Sequence, residues 1–116
     1  MTDDDTTVAD LRNRIAAFVR ERDWEQFHDP KNLSASIAIE AAELMEHFQW
    51  VHSDRVAEVR TDPAAMALIS EELADILAFA LSFANALDID ISSTLIAKLA
   101  KNEEKYPVDR YYGRFK

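Results

Sequence analysis

The sequence predicts an all-α fold, and three observations carry that expectation. Only one Gly and three Pro occur in 116 residues, whereas the reversals of a sheet protein consume Gly, Asn and Pro. Apolar residues recur at three- and four-residue spacing in four separate stretches, the spacing of one helix face. The dipeptides Asp29-Pro30 and Asp62-Pro63 each join a capping carboxylate to a Pro suited to the first helical turn.

Each element follows in order. Residues 1–6 form a short acidic lead, expected to be disordered. It has no basic or apolar region and does not read as a signal peptide. Thr7 and Asp10 have capping-box spacing, with Asp where Glu or Gln is usual. Val8, Leu11, Ile15, Phe18 and Val19 then predict a first helix to about Arg22. Asp23 to Asp29 breaks the pattern and carries Trp24, Phe27 and His28. A second helix starts at Asp29-Pro30, with Leu33, Ile37, Leu44, Phe48 and Val51 on one stripe, and ends near His52. Residues 53–62 are polar and weakly patterned. The third and longest helix runs from Pro63 to about Leu87, with Ile69, Leu73, Ile76, Ala80 and Ala84 on its stripe. After a tight connection at Asp88 to Asp90, a fourth helix covers about Ile91 to Lys105, and Pro107 stops it. Residues 7–107 thus read as one four-helix bundle domain, and residues 108–116 as a basic, aromatic tail with no assigned structure. Broad apolar faces on the second and third helices favour association.

Composition narrows the function. Apolar residues make up 48% of the chain, enough for one core and too many for wholesale disorder. A formal net charge of −9 disfavours a nucleic-acid partner. It leaves nucleotides open, because a bound divalent cation reverses the local sign. Cys is absent, so there is no disulfide and no thiolate metal site. No apolar run approaches the roughly 20 residues of a membrane helix. The chain reads as soluble and cytoplasmic.

The chemistry-bearing feature is the placement of four acids. Glu40 falls in the middle of the apolar stripe of the second helix, one turn from Ile37 and Leu44, and Glu43 lies three residues on. Glu72 sits one turn from Ile69 and Ile76 on the third helix, with Asp75 three residues later. Pairs at i, i+3 share a face. Buried carboxylates repel and cost several kcal/mol each unless paired, and no basic residues match them on these faces. A hard divalent cation, Mg²⁺ or Mn²⁺, suits all-oxygen donors. Such an ion keeps positions open for water and phosphates, which points to phosphate-ester or anhydride chemistry. Glu46, Glu58 and Glu71 point to outer faces and read as solvated, and His47 and His52 as structural or solvated.

These motifs resemble the all-α nucleotide pyrophosphohydrolases of the MazG-like group, and within it the small dCTP pyrophosphatases. The likeness rests on Glu40-Ala-Ala-Glu43 and Glu72-Leu-Ala-Asp75. It is extended by Arg22-Asp-Trp-Glu-Gln-Phe-His28 with Pro30 and Asn32-Leu33, by Phe48-Gln-Trp50, and by Lys98, Asn102 and Tyr106-Pro107, so it spans about residues 8–108. The resemblance implies a nucleoside triphosphate, dCTP or a related or modified dNTP, cut to monophosphate and pyrophosphate in nucleotide-pool house-cleaning. It implies that Glu40, Glu43, Glu72 and Asp75 hold Mg²⁺ and form the catalytic set, one of them also activating water. Lys98, Asn102 and Tyr106 would bind the triphosphate and sugar, against the alternative of a surface lysine and a packing tyrosine. Trp24, His28 and Trp50 would bind the base, although core packing is the commoner role of a lone Trp. A homo-oligomer, tetramer or dimer, is also implied. The segment 53–62 is short and acidic, in a stretch that varies widely within the family, and the tail after Tyr106 matches no family pattern.

Two other readings compete. A di-iron carboxylate bundle needs Glu-x-x-His pairs on two helices, and the one such spacing here, Glu25 to His28, falls between helices. A non-enzymatic helical interaction module would instead set the acids against a partner's basic residues.

Overall fold

A computed structural model describes residues 1–115; Lys116, the last residue of the expected tail, lies outside the described residues. Five α-helices and two 3₁₀ segments make up the described structure, with no strand among the described residues. The all-α expectation holds. The helices are α1 (Val8–Glu21), α2 (Pro30–Glu46), α3 (Pro63–Leu87), α4 (Ile91–Lys105) and the short α5 (Val108–Tyr111), with 3₁₀ turns at Glu25–Phe27 and Ser53–Thr61.

Three helix starts are built by the side chains expected from the sequence, and that of α4 by Asp90, which the sequence reading placed only in a tight connection. The Asp10 amide donates to Thr7 Oγ1 and the Thr7 amide to Asp10 Oδ2, both at 3.0 Å, closing the capping box with Asp as its far member. Asp29 accepts from the Asn32 amide at 2.8 Å. Asp62 accepts from the Ala64 and Ala65 amides at 3.1 and 3.2 Å. Asp90 accepts from the Ser93 amide at 3.0 Å. Each cap satisfies donors that the first helical turn leaves without partners, a contribution of about 1 kcal/mol apiece. Two helix ends need a left-handed residue and use Asp rather than Gly: Asp23 (φ 54°) after α1 and Asp88 (φ 52°) after α3. Asp tolerates this region because its short side chain can bond locally.

One boundary differs from the expectation. The second helix ends at Glu46, not near His52. The Phe48 amide donates to Met45 O at 3.0 Å and the Val51 amide to Phe48 O at 3.0 Å, so the chain tightens into i→i+3 turns. The run His47-Phe48-Gln49-Trp50-Val51-His52 is made largely of poor helix formers, and it preserves the apolar spacing while leaving the α conformation. Residues 53–61, weakly patterned in the sequence, form a 3₁₀ segment packed on α3. In the tail, the Tyr111 ring meets Tyr106 edge-on at 5.1 Å.

α3 is the centre of the molecule. It packs along α2 most extensively and against α1 next. A polar clamp fixes α1 to its far end: Arg12 Nε donates to Asn85 Oδ1 at 2.8 Å, Arg12 Nη1 to Ile89 O at 2.6 Å, and Asn85 Nδ2 to Arg12 O at 3.2 Å. Half-buried hydrogen bonds to a charged group contribute about 1.5–3 kcal/mol, so the clamp sets where α1 lies.

α4 does not close a bundle within one chain, since it packs against no other helix to a comparable extent. Leu95, Ile96 and Leu99 on it are exposed, as are Leu73 and Leu77 on α3 and Ile39 and Met45 on α2. Leu73 therefore stands apart from Ile69, Ile76, Ala80 and Ala84, with which its spacing groups it. Val19, Leu33 and Ala84 are the buried apolar residues among those described. The radius of gyration is 17.3 Å, against about 13 Å for a compact domain of this length. None of the described helices is long and apolar enough to cross a membrane.

Candidate metal centre

The α2–α3 packing brings carboxylates from both helices face to face. Oxygens of Glu40, Glu43 and Glu72 lie within 4.8 Å of one another. Glu40 Oε2 and Glu72 Oε2 are withdrawn from water and accept no hydrogen bond. Among the described residues no Lys or Arg pairs with any of these acids. Burial pushes the Glu40 carboxyl up from 4.5 to about 7, helped by neighbouring Glu43 and by repulsion from Asp75. Burial raises Glu72 as well, with Glu43 again adding to it. Orphaned, repelling oxygens of this kind fit a divalent cation, and a donor set of carboxylates alone suits a hard ion.

Asp75 stands outside the closest cluster but near enough to perturb Glu40 and Glu72. It borders a cleft of about 730 Å³, lined also by Phe18, Trp24, His28, Phe79 and Ser82. That volume lies in the range of small-ligand sites. Phe18 meets Trp24 edge-on at 5.7 Å, and His28 has its ring 6.3 Å from both Trp24 and Phe79. His28 Nδ1 is buried without a hydrogen-bond partner. The cleft thus offers flat apolar walls, a polar ring nitrogen and an acidic mouth.

The structure brings together seven groups along one surface: Glu40, Glu43, Glu72, Asp75, Trp24, His28 and, unexpectedly, His47. His47 Nε2 lies 4.0 Å from Glu72 Oε1. The sequence reading left His47 as structural or solvated. Its spacing, four residues after Glu43 and seven after Glu40, was the available signal, since those positions share a helix face. Phe79 and Ser82 were likewise not singled out for the cleft, though they stand four and seven residues after Asp75. Trp50, Lys98, Asn102 and Tyr106 are not brought to the cleft within one chain. Trp50 is 89% exposed, and the other three belong to α4 or its C-terminal cap. Tyr106 instead contacts Tyr111 and Lys105.

Comparison with known proteins identifies the family. The sequence matches the MazG-like family profile over residues 35–114, a span that holds all four acids. The chain belongs to the MazG-like family. This MazG-like chain is 37% identical over 102 residues to dCTP pyrophosphatase 1 of Mus musculus, covering 88% of this chain and 60% of that protein. It is 36% identical over 101 residues to dCTP pyrophosphatase 1 of Homo sapiens, covering 87% and 59%. It therefore spans about 60% of the length of the curated relatives it matches. The MazG-like fold also matches the crystal structure of a pyrophosphatase from Archaeoglobus fulgidus, with a TM-score of 0.79 at 38% identity, covering 85% of this chain and 91% of that one.

The acid cluster predicts a linked dependence on pH and metal. Because the folded protein holds the Glu40 proton to about pH 7 and the unfolded chain only to about 4.5, the metal-free fold loses stability as pH rises between those values. A divalent cation displaces that proton, so its stabilisation grows across the same window. Melting curves in EDTA and in MgCl₂ are expected to diverge as pH rises toward 7 and beyond. In Glu40→Gln the metal-free melting temperature is expected to rise and the divergence to shrink. Parallel curves at every pH would contradict the cluster as a cation site.

Proposed function

We propose that this chain is a Mg²⁺-dependent nucleoside triphosphate pyrophosphohydrolase, acting on dCTP or a related or modified dNTP to release the monophosphate and pyrophosphate in nucleotide-pool house-cleaning. One observation carries the reading: acids of α2 and α3 cluster together, and Asp75, the acid next to that cluster, also lines an aromatic cleft. A triphosphate and a flat base need those two environments side by side. The names of the relatives, dCTP pyrophosphatase 1 and a pyrophosphatase, support the same choice.

Glu40, Glu43 and Glu72 would hold the ion, with Asp75 completing the set from the cleft side. When bound, Mg²⁺ supplies charge neutralisation for the phosphates and acidifies a coordinated water. The residues themselves do the rest. One of the four carboxylates also accepts the proton of the attacking water, and exposed Asp75, which lines the cleft, is placed for it. Trp24 and Phe79 offer faces for base stacking, and His28 offers a ring nitrogen to the base or a phosphate. His47 Nε2 stands 4.0 Å from Glu72 Oε1, at the edge of the acid cluster. Attack on the phosphorus nearest the sugar then leaves pyrophosphate as the departing group.

The assembly is part of the proposal. Leu95, Ile96 and Leu99 on α4, with Leu73 and Leu77 on α3, leave more apolar surface exposed than a soluble monomer keeps. Their burial between copies would make a homo-oligomer, dimer or tetramer, in the cytoplasm. Lys98, Asn102, Tyr106 and Trp50 would then reach the triphosphate and base of a neighbouring chain's cleft.

Two experiments test these statements. In a panel of dNTPs and NTPs with MgCl₂, products separated by ion exchange are expected to be monophosphate and pyrophosphate, with dCTP among the best substrates. Glu40→Gln and Asp75→Asn are each expected to lower turnover by orders of magnitude with helical content retained. Diphosphate plus phosphate, or unchanged turnover in both variants, would contradict the assignment. Light scattering is expected to give a multiple of the 13.2 kDa chain mass, and a monomer at micromolar concentration would refute the assembly.

A further inference from the structure

Ser82 is the buried polar residue among those described, 8% exposed in the C-terminal part of α3. Its hydroxyl makes no hydrogen bond to the described residues, which leaves it available to a ligand. It lines the 730 Å³ cleft, and it also lines a second cavity of about 290 Å³ behind it, bordered by Arg20, Glu25 and Asn85. Val19 and His28 are the other residues common to both. Ser82 and His28 therefore form the polar floor of the cleft, under the aromatic walls of Trp24 and Phe79.

The helix register gives the hydroxyl its place. Asp75, Phe79 and Ser82 stand at i, i+4 and i+7, on one face of α3, and all three line the cleft. Seven residues of helix put Ser82 about 10.5 Å along the axis from Asp75. A nucleotide whose phosphates lie at the acids and whose base stacks beyond them spans a comparable length. Its base edge then arrives at the floor, where ring nitrogens, amino groups and carbonyls need partners. A serine hydroxyl both donates and accepts, and Ser82 shares the lining of both cavities with His28, whose Nδ1 is unpartnered.

We infer that Ser82 is a specificity-determining residue, whose hydroxyl hydrogen-bonds the polar edge of the nucleobase at the floor of the cleft. The inference rests on the pyrophosphohydrolase reading and adds to it the residue that tells one base from another. A site that bonds a polar substrate edge discriminates by leaving its own group unpaired with the wrong base. The bond is made to the bound substrate and to the transition state alike, so its loss raises KM more than it lowers kcat.

Steady-state kinetics on four dNTPs with MgCl₂ test this in wild type, Ser82→Ala and Ser82→Thr. Alanine suits a helix interior, and threonine restores the hydroxyl. In Ser82→Ala, the kcat/KM ratio between the best and second-best base is expected to fall about tenfold, chiefly through KM. Ser82→Thr is expected to recover part of that ratio. A Ser82→Ala protein that hydrolyses the panel with an unaltered ratio would overturn this inference alone. A fall in kcat/KM that is equal for all four bases would overturn it too, marking Ser82 as a packing residue. A wild-type protein that turns over none of the four would overturn the pyrophosphohydrolase reading and this inference together.

Discussion

Carboxylate repulsion across the α2–α3 packing is the constraint on which the rest of the molecule turns. These two helices make the most extensive contact in the chain, and at its centre Glu40 and Glu72 each hold an oxygen away from both water and hydrogen bonds. Apolar residues of similar volume there would give a more stable pair of helices. The fold instead keeps acids there, and burial, with Glu43 beside them, raises the proton affinity of Glu40 and Glu72. Stability is given up at one place, and that place has the oxygen donors a metal ion could use. The cleft depends on the same helix. Asp75, Phe79 and Ser82 continue the part of α3 that carries Glu72, so α3 contributes both to the acid cluster and to the cleft.

The interior of one chain is small for its length. Few residues are fully buried, while leucines on α3 and α4 remain in contact with water. The acidic net charge of −9 opposes indiscriminate aggregation. It does not oppose a specific contact between apolar helix faces. Lys98 and Asn102 sit on α4, the helix least packed within the chain. The acid cluster and the open apolar faces are separable in physical terms: the first is made by α2 and α3 of one chain, and the second lie largely on α3 and α4.

Much of this was legible in the sequence because its causes are local. Capping by Thr7, Asp29 and Asp62 needs only a short side chain two or three residues before an amide. The convergence of Glu40 with Glu72 was legible because each acid interrupts an apolar stripe, and two interrupted stripes that pack together must bring their acids together. The end of α2 was not legible. Leu44, Phe48 and Val51 keep helical spacing after the backbone has tightened into 3₁₀ turns, and side-chain periodicity does not report which hydrogen bond closes the turn. Ser82 was hidden for another reason. A lone serine amid Ala and Leu reads as a neutral helix residue, and only the position of α1 against α3, fixed by Arg12, makes it the floor of a cavity. The apolar face of α4 was legible as a face, but spacing within one helix does not say whether its partner belongs to the same chain.

The central claim is that Glu40, Glu43 and Glu72 hold a divalent cation. Mn²⁺ tests it most directly, because its anomalous scattering locates the ion without reference to activity. In crystals grown with MnCl₂, an anomalous peak is predicted among the carboxylates of Glu40, Glu43 and Glu72, within about 2.5 Å of their oxygens. Crystals saturated with Mn²⁺ that show no peak between α2 and α3 would contradict the account.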